Sequence, residues 1–129
     1  NSCGGYVYDG FGIYDRIRQS TCPITIETYG SCMSMATIIL QAADLRLMAP
    51  NTVCMIHHGG NALIGDYTNI KRWADHYEEN IQRCVDLYLA HINEKHPEFK
   101  RRDLLKMLEH DTIMYADKFV ELGLADAIL

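Results

Sequence analysis

Residues 24–43, ITIETYGSCMSMATIILQAA, decide how this chain folds. Residues 24–29 alternate β-branched and polar side chains and stop at Gly30, which predicts a half-buried strand. Residues 37–43 are apolar on nearly every side, as a buried helix is. Between the two, SCMSMA (residues 31–36) reads as a tight turn, and Ser34 sits in it. That place presents a hydroxyl outward while the first N–H groups of the helix point at the same space.

Downstream, residues 45–49 and 52–56 are short apolar segments divided by Pro50-Asn51, and the second runs into His57-His58-Gly59-Gly60; both predict strands. Upstream, NSCGGYVYDG (residues 1–10) is a glycine-bearing loop entering a helix over residues 11–20, where Phe11, Ile13, Tyr14 and Ile17 recur at helical spacing. From Tyr67 to about His96, Trp73, Tyr77, Ile81, Val85, Tyr88, Leu89 and Ile92 keep a helical period. Such a helix is too long for a small core to cover, so part of it is expected to project toward a partner. Residues 101–108 and 118–122 predict two shorter helices. Alternating strands and helices place residues 1–129 in the α/β class as one domain, with the long helix 67–96 inside it.

Composition narrows the function classes. With 48% apolar residues in 129, the chain has the material for a core and is neither disordered nor a multidomain enzyme. A net charge of −5 argues against a nucleic-acid partner, for which a continuous basic face is expected. Five cysteines (Cys3, Cys22, Cys32, Cys54 and Cys84) are an odd number without CxxC spacing, so a closed disulfide set is excluded and a four-cysteine zinc site lacks its usual pairs. Reduced thiols fit a cytoplasmic setting, or an organelle matrix or stroma. No apolar run reaches the roughly 18 residues of a membrane span, and no signal-peptide layout is present, so no membrane partner is expected.

Serine is a weak nucleophile until an imidazole takes its proton and a carboxylate fixes that imidazole. Ser34 has candidate bases in His57 and His58, which end the next strand, and candidate oxyanion donors in the Met35 N–H and the Gly4-Gly5 turn. Each has a plainer explanation: a serine at a helix start is most often an N-cap, a histidine after a strand is most often structural, and two glycines most often make a turn. Their joint order along the chain is what points to nucleophilic catalysis.

That order resembles the proteolytic subunit of the Clp protease, a serine peptidase family with a crotonase-like fold. NSCGG is similar to the family's NSPGG loop, GSCMSM to its nucleophile turn, APNTVCMIHH to its PN…MIH strand, and EHDTIMYADKFVELGLAD to its acidic segment. The resemblance covers nearly the whole chain, with a slightly short Ser34–His57 interval and a slightly long His57–Asp111 interval. It implies a ββα superhelix with a protruding handle helix at 67–96. It implies a catalytic triad of Ser34, His57 and Asp111, an oxyanion hole from Gly5 and Met35, and an extended substrate held by Gly4, Tyr6 and Val7 on one side and Gly59 and Gly60 on the other. No cofactor and no metal is implied. Partners would be further copies, in heptameric rings stacked as a tetradecamer, a ring-shaped ATPase unfoldase, and polypeptide substrates; nothing here resembles a P-loop, so ATP would belong to that partner. The family also has a strand and a pore-lining N-terminal segment ahead of the NSPGG loop, so the sequence reads as the family's catalytic region with its N-terminal part missing. Departures are Cys3 for proline, Met33 for a small residue, His58-Gly59 for Gln-Pro, and His110 for arginine.

Three rivals remain. Acyl-CoA chemistry on the related crotonase fold would not need a Ser/His/Asp set. An inactive, structural ring subunit would keep the interfaces and lose catalysis. A metal site from Cys54, His57 and His58 suffers because neighbouring residues on a strand point to opposite faces.

Overall fold

A computed structural model describes all of residues 1–129. The elements run α1 (Val7–Arg18), β1 (Thr25–Thr28), β2 (Ser31–Met33), α2 (Met35–Leu40), β3 (Leu45–Met48), β4 (Val53–Ile56), α3 (Tyr67–Lys95), α4 (Arg101–Leu108), β5 (Thr112–Tyr115), α5 (Ala116–Glu121) and β6 (Ala127–Ile128). They form two three-stranded sheets, ordered β1-β3-β6 and β2-β4-β5. The first is parallel throughout; in the second, β2 and β4 run parallel while β5 is antiparallel to β4.

The strands at 25–28, 45–48 and 53–56 and the helices α3 and α4 stand where patterning predicts them, while α2 occupies residues 35–40 where a helix over 37–43 is expected. Other elements differ. Residues 31–33 are not part of the turn but a strand, β2, too short for alternation to reveal. Pairing on both sides makes it: Cys32 faces Cys54 across the ladder with β4, while Ser2 bridges its other edge, donating to the Ser31 carbonyl at 2.8 Å and accepting from the Met33 N–H at 3.0 Å. β5 is likewise drawn out by its partner β4 rather than by its own four residues, and α5 starts at Ala116, ahead of the predicted 118. α1 begins at Val7 rather than 11. Its glycines lower helix propensity, but Gly10 is buried against α2, and a Cβ there would run into the Met35 side chain.

The core is one cluster in which α2 supplies Met35, Ile38 and Leu40, the strands supply Met48, Cys54 and Ile56, and Phe119 closes the far side. Each large apolar side chain buried there contributes about 1.5–3 kcal/mol. The 29 residues of α3 span about 44 Å. Asp66 caps its start, accepting from the Asn69 N–H at 3.1 Å. Its buried residues, Asn80, Val85, Tyr88 and Ile92, run from its middle toward its C-terminus, while Tyr67 and Trp73 are exposed. Half of the helix serves the core and half stands clear of it.

Candidate active site

Sheet register assembles this site. β2 ends at Met33 opposite Met55, and Thr112 of β5 lies opposite Ile56, so one step past those pairs brings Ser34, His57 and Asp111 to the same end of one sheet. His57 Nε2 lies 2.8 Å from Ser34 Oγ, and His57 Nδ1 lies 2.9 Å from Asp111 Oδ1. In a neutral imidazole the two bonds place the proton on Nδ1, donating to the carboxylate, and leave Nε2 to accept from the serine hydroxyl. The His57 side chain is 25% exposed and that of Asp111 is 63% exposed, so the carboxylate end of the relay is open to water.

Ser34 occupies the N-cap position of α2, yet its side chain makes no capping bond. The plain explanation of this serine therefore fails: its hydroxyl is directed to the imidazole. Ser34 is also the one non-glycine residue with positive φ, at φ 53° and ψ −128°. A side-chain-bearing residue held there stores about 1–3 kcal/mol of strain, which its surroundings must impose. They do so through the Ser34 N–H, which donates to the Met55 carbonyl at 2.7 Å, and through the Ser34 carbonyl, which accepts from Thr37 N–H at 2.9 Å and from Thr37 Oγ1 at 2.6 Å.

The loop before α1 is pressed against this turn. Gly4 has φ +89°, and a Cβ on it would meet the Met33 carbonyl oxygen at 2.7 Å, Ser34 Cβ at 2.8 Å and the Met35 nitrogen at 2.9 Å. Gly5 is different: open space surrounds its Cβ position, and its N–H makes no backbone hydrogen bond. Met35, as the first residue of α2, has an N–H with no partner inside the helix.

These groups edge a cleft of about 420 Å³. Gly5, Tyr6 and Val7 form one wall, His57 to Asn61 the other, and Ser34, Met35 and Ile38 the floor. Gly4 packs on the Ser34 turn and does not line the cleft. His58 is in the wall, its ring Nε2 buried without a partner, and its backbone N–H donates to the Leu108 carbonyl at 2.9 Å, so His57 alone meets the serine.

Sequence reading missed the third wall. Tyr77, Cys84 and Tyr88 come from one face of α3, and the Tyr77 hydroxyl donates to the His58 carbonyl at 2.7 Å. A signal did exist, because a tyrosine at a core position needs a partner for its hydroxyl. Burial pushes the Cys84 thiol up to about 11 and those of Cys32 and Cys54 up to about 12, so none is a nucleophile at neutral pH. Cys54 is fully buried in the core beside Cys32, and no three His, Cys, Asp or Glu side chains come together as metal ligands.

A protein-family model described as Clp protease matches residues 1–129. The chain is 30% identical to the ATP-dependent Clp protease proteolytic subunit of Deinococcus radiodurans, with all of this chain and 62% of that protein covered. It is 32% identical to the ATP-dependent Clp protease proteolytic subunit 1 of Chlamydia abortus, again over its full length and 67% of the relative. The chain thus spans about two thirds of the length of these curated relatives. With a family match that runs from the first residue to the last, this chain belongs to the Clp protease family.

Proposed function

We propose that this chain is the catalytic part of a serine endopeptidase subunit that hydrolyses unfolded polypeptides inside an oligomeric chamber. Ser34 Oγ attacks the scissile carbonyl, and His57 Nε2 takes its proton and returns it to the leaving amine. Asp111 holds the Nδ1–H tautomer and offsets the positive charge of the imidazolium. The N–H groups of Gly5 and Met35 stabilise the oxyanion, the acyl-enzyme forms on Ser34, and water admitted to the cleft releases it by the reverse proton path. One observation carries the reading: the Ser34 hydroxyl is withheld from capping and bonded instead to a histidine that is itself bonded to a carboxylate.

Around this centre the proposal follows the family. Residues 1–129 act as one crotonase-like domain, and residues 67–96 are its handle, whose uncovered half packs between stacked heptameric rings. Extended substrate runs between Tyr6 and Val7 on one side and Gly59 and Gly60 on the other with little sequence preference, while Gly4 packs on the Ser34 turn instead of meeting the substrate. A ring-shaped ATPase supplies unfolded chains, in the cytoplasm or an organelle matrix or stroma; no helix is long and apolar enough to cross a membrane.

Fluorophosphonate labelling with mass mapping tests the chemistry. Label on Ser34 that vanishes in Ser34→Ala and His57→Ala is the expected result. No label on an assembled ring would overturn the peptidase reading and favour an inactive, structural ring subunit.

A further inference from the structure

The Ser34–Met35 peptide has two ends with separate tasks. Its N–H, on Met35, is the oxyanion donor of the proposed mechanism, and its carbonyl, on Ser34, points back into the protein. A peptide unit is planar, so whatever fixes the carbonyl oxygen fixes the direction of the N–H. This matters here because Ser34 has φ 53° and ψ −128°, outside the basins in which serine would hold that plane by itself.

Beside the Thr37 N–H at 2.9 Å, the carbonyl is held by a two-hydroxyl relay. Thr37 Oγ1 lies 2.6 Å from the Ser34 oxygen, which can only accept, so the Thr37 hydroxyl donates to it. With its one proton committed, Thr37 Oγ1 accepts from the Tyr88 hydroxyl, also at 2.6 Å. Thr37 is 0% and Tyr88 2% exposed, so water does not compete at either step. Burial also pushes the Tyr88 phenol up, keeping it protonated and a donor. Donation to a peptide carbonyl polarises the whole unit and makes its N–H a better donor.

We infer that Tyr88, acting through Thr37, is a positioning residue that aims the Met35 N–H at the oxyanion. The catalytic role of that N–H rests on the peptidase reading above; the link from Tyr88 to the peptide plane does not. Neither residue touches the reacting atoms through its hydroxyl, and the relay joins α3 to the turn that holds the nucleophile.

The test uses the assembled protein and a fluorogenic peptide. Tyr88→Phe and Thr37→Val are expected to lower kcat and kcat/KM together by about tenfold, a fraction of the ~10²–10³ lost when an oxyanion donor is removed outright, with KM unchanged. Thr37→Ser, which keeps the hydroxyl, is expected to restore the rate. The double variant is expected to be no slower than Thr37→Val, because both changes break one chain. A merely structural role would lower the melting temperature without this kcat-only signature; a rise in KM alone, or an unchanged kcat in Thr37→Val, would overturn the inference. A second readout does not need activity. The six methionines give six amide signals in protein labelled with 15N-methionine. The Met35 signal is expected to shift or broaden in Tyr88→Phe and Thr37→Val and to stay in place in Thr37→Ser. If wild type hydrolyses nothing while the Met35 signal responds, the peptidase reading fails and the Tyr88 link stands; an indifferent Met35 signal refutes the link whatever the activity.

Discussion

Gly4 and Gly5 are adjacent and identical in sequence, and alanine at the two positions is expected to act very differently. At Gly4 a side chain must adopt φ +89°, which costs about 1–2 kcal/mol in the left-handed region. Its Cβ would also lie under 3.0 Å from three atoms of residues 33–35, two of them backbone atoms that cannot swing aside. Forced overpacking of that kind costs about 1–3 kcal/mol more. Gly4→Ala is therefore expected to destabilise by about 2–5 kcal/mol, or to relieve the clash by backing the loop away from Ser34. At Gly5 a Cβ meets nothing within 4 Å, so Gly5→Ala is expected to stay within about 0.5 kcal/mol of wild type. Urea unfolding followed by circular dichroism gives the stability difference, and the fluorophosphonate labelling rate of Ser34 gives the functional one, expected to fall at least about tenfold in Gly4→Ala because an oxyanion donor and the nucleophile part company. Equal effects at the two glycines, or a larger one at Gly5, would refute the close packing of this loop on the nucleophile turn.

Asp111→Asn keeps the shape at 2.9 Å from His57 Nδ1 but favours the wrong tautomer, so kcat is expected to fall by about 10²–10⁴, toward the lower end because this carboxylate is open to water; steady-state peptide hydrolysis decides it, and an unchanged kcat would remove Asp111 from the mechanism. Arg46 is 6% exposed and bonded to Asp126 and Gln41, so Arg46→Ala leaves Gln41 Oε1 and Asp126 Oδ1 unpaired, while Asp126 Oδ2 keeps the backbone N–H of residue 46, and is expected to cost about 2–4 kcal/mol, below the full value for a buried pair because a third of the Asp126 side chain sees solvent; a change under about 1 kcal/mol in urea unfolding would contradict that. Burial, then the positive charge of Arg46, holds His91 below its ordinary 6.5, against the raising influence of the Gln41 carbonyl, Glu94 and Asp126. The unfolded chain then takes up the proton first, so this contribution to stability is complete above the ordinary imidazole value and declines as pH falls from there through the lower folded value. His91→Gln is expected to flatten the decline between pH 7.5 and 5.5 in unfolding midpoints; an equally steep decline in the variant would place its origin elsewhere.

Local sequence was enough for what local forces decide. The apolar run of α2, the long period of α3 and the alternation at 25–28 are written in neighbouring residues, and so are the helices from Arg101 and the strands around Pro50-Asn51. Ser34 and the His57-His58 pair were legible because a turn before a buried helix and the end of a strand are local features; the choice of His57 over His58 came from the family resemblance. Long-range pairing was not legible. Three residues of β2 and four of β5 carry too little pattern to announce a strand, and they become strands because β4 offers hydrogen bonds to both. That pairing carries Asp111 to His57 across 54 positions of chain, a meeting that spacing alone suggested only through a family resemblance. Tyr88 of α3 looked like a core residue, and it is; the cleft that it walls with the half-buried Tyr77, and its hydroxyl relay to the Ser34 carbonyl, exist only once α3 packs on α2. The order of the residues thus determined which groups are available and on which elements they ride, because helix and turn preferences act over a few residues. Tertiary structure decided which groups meet, because sheet register and close packing set distances to within an ångström between residues that the chain keeps far apart.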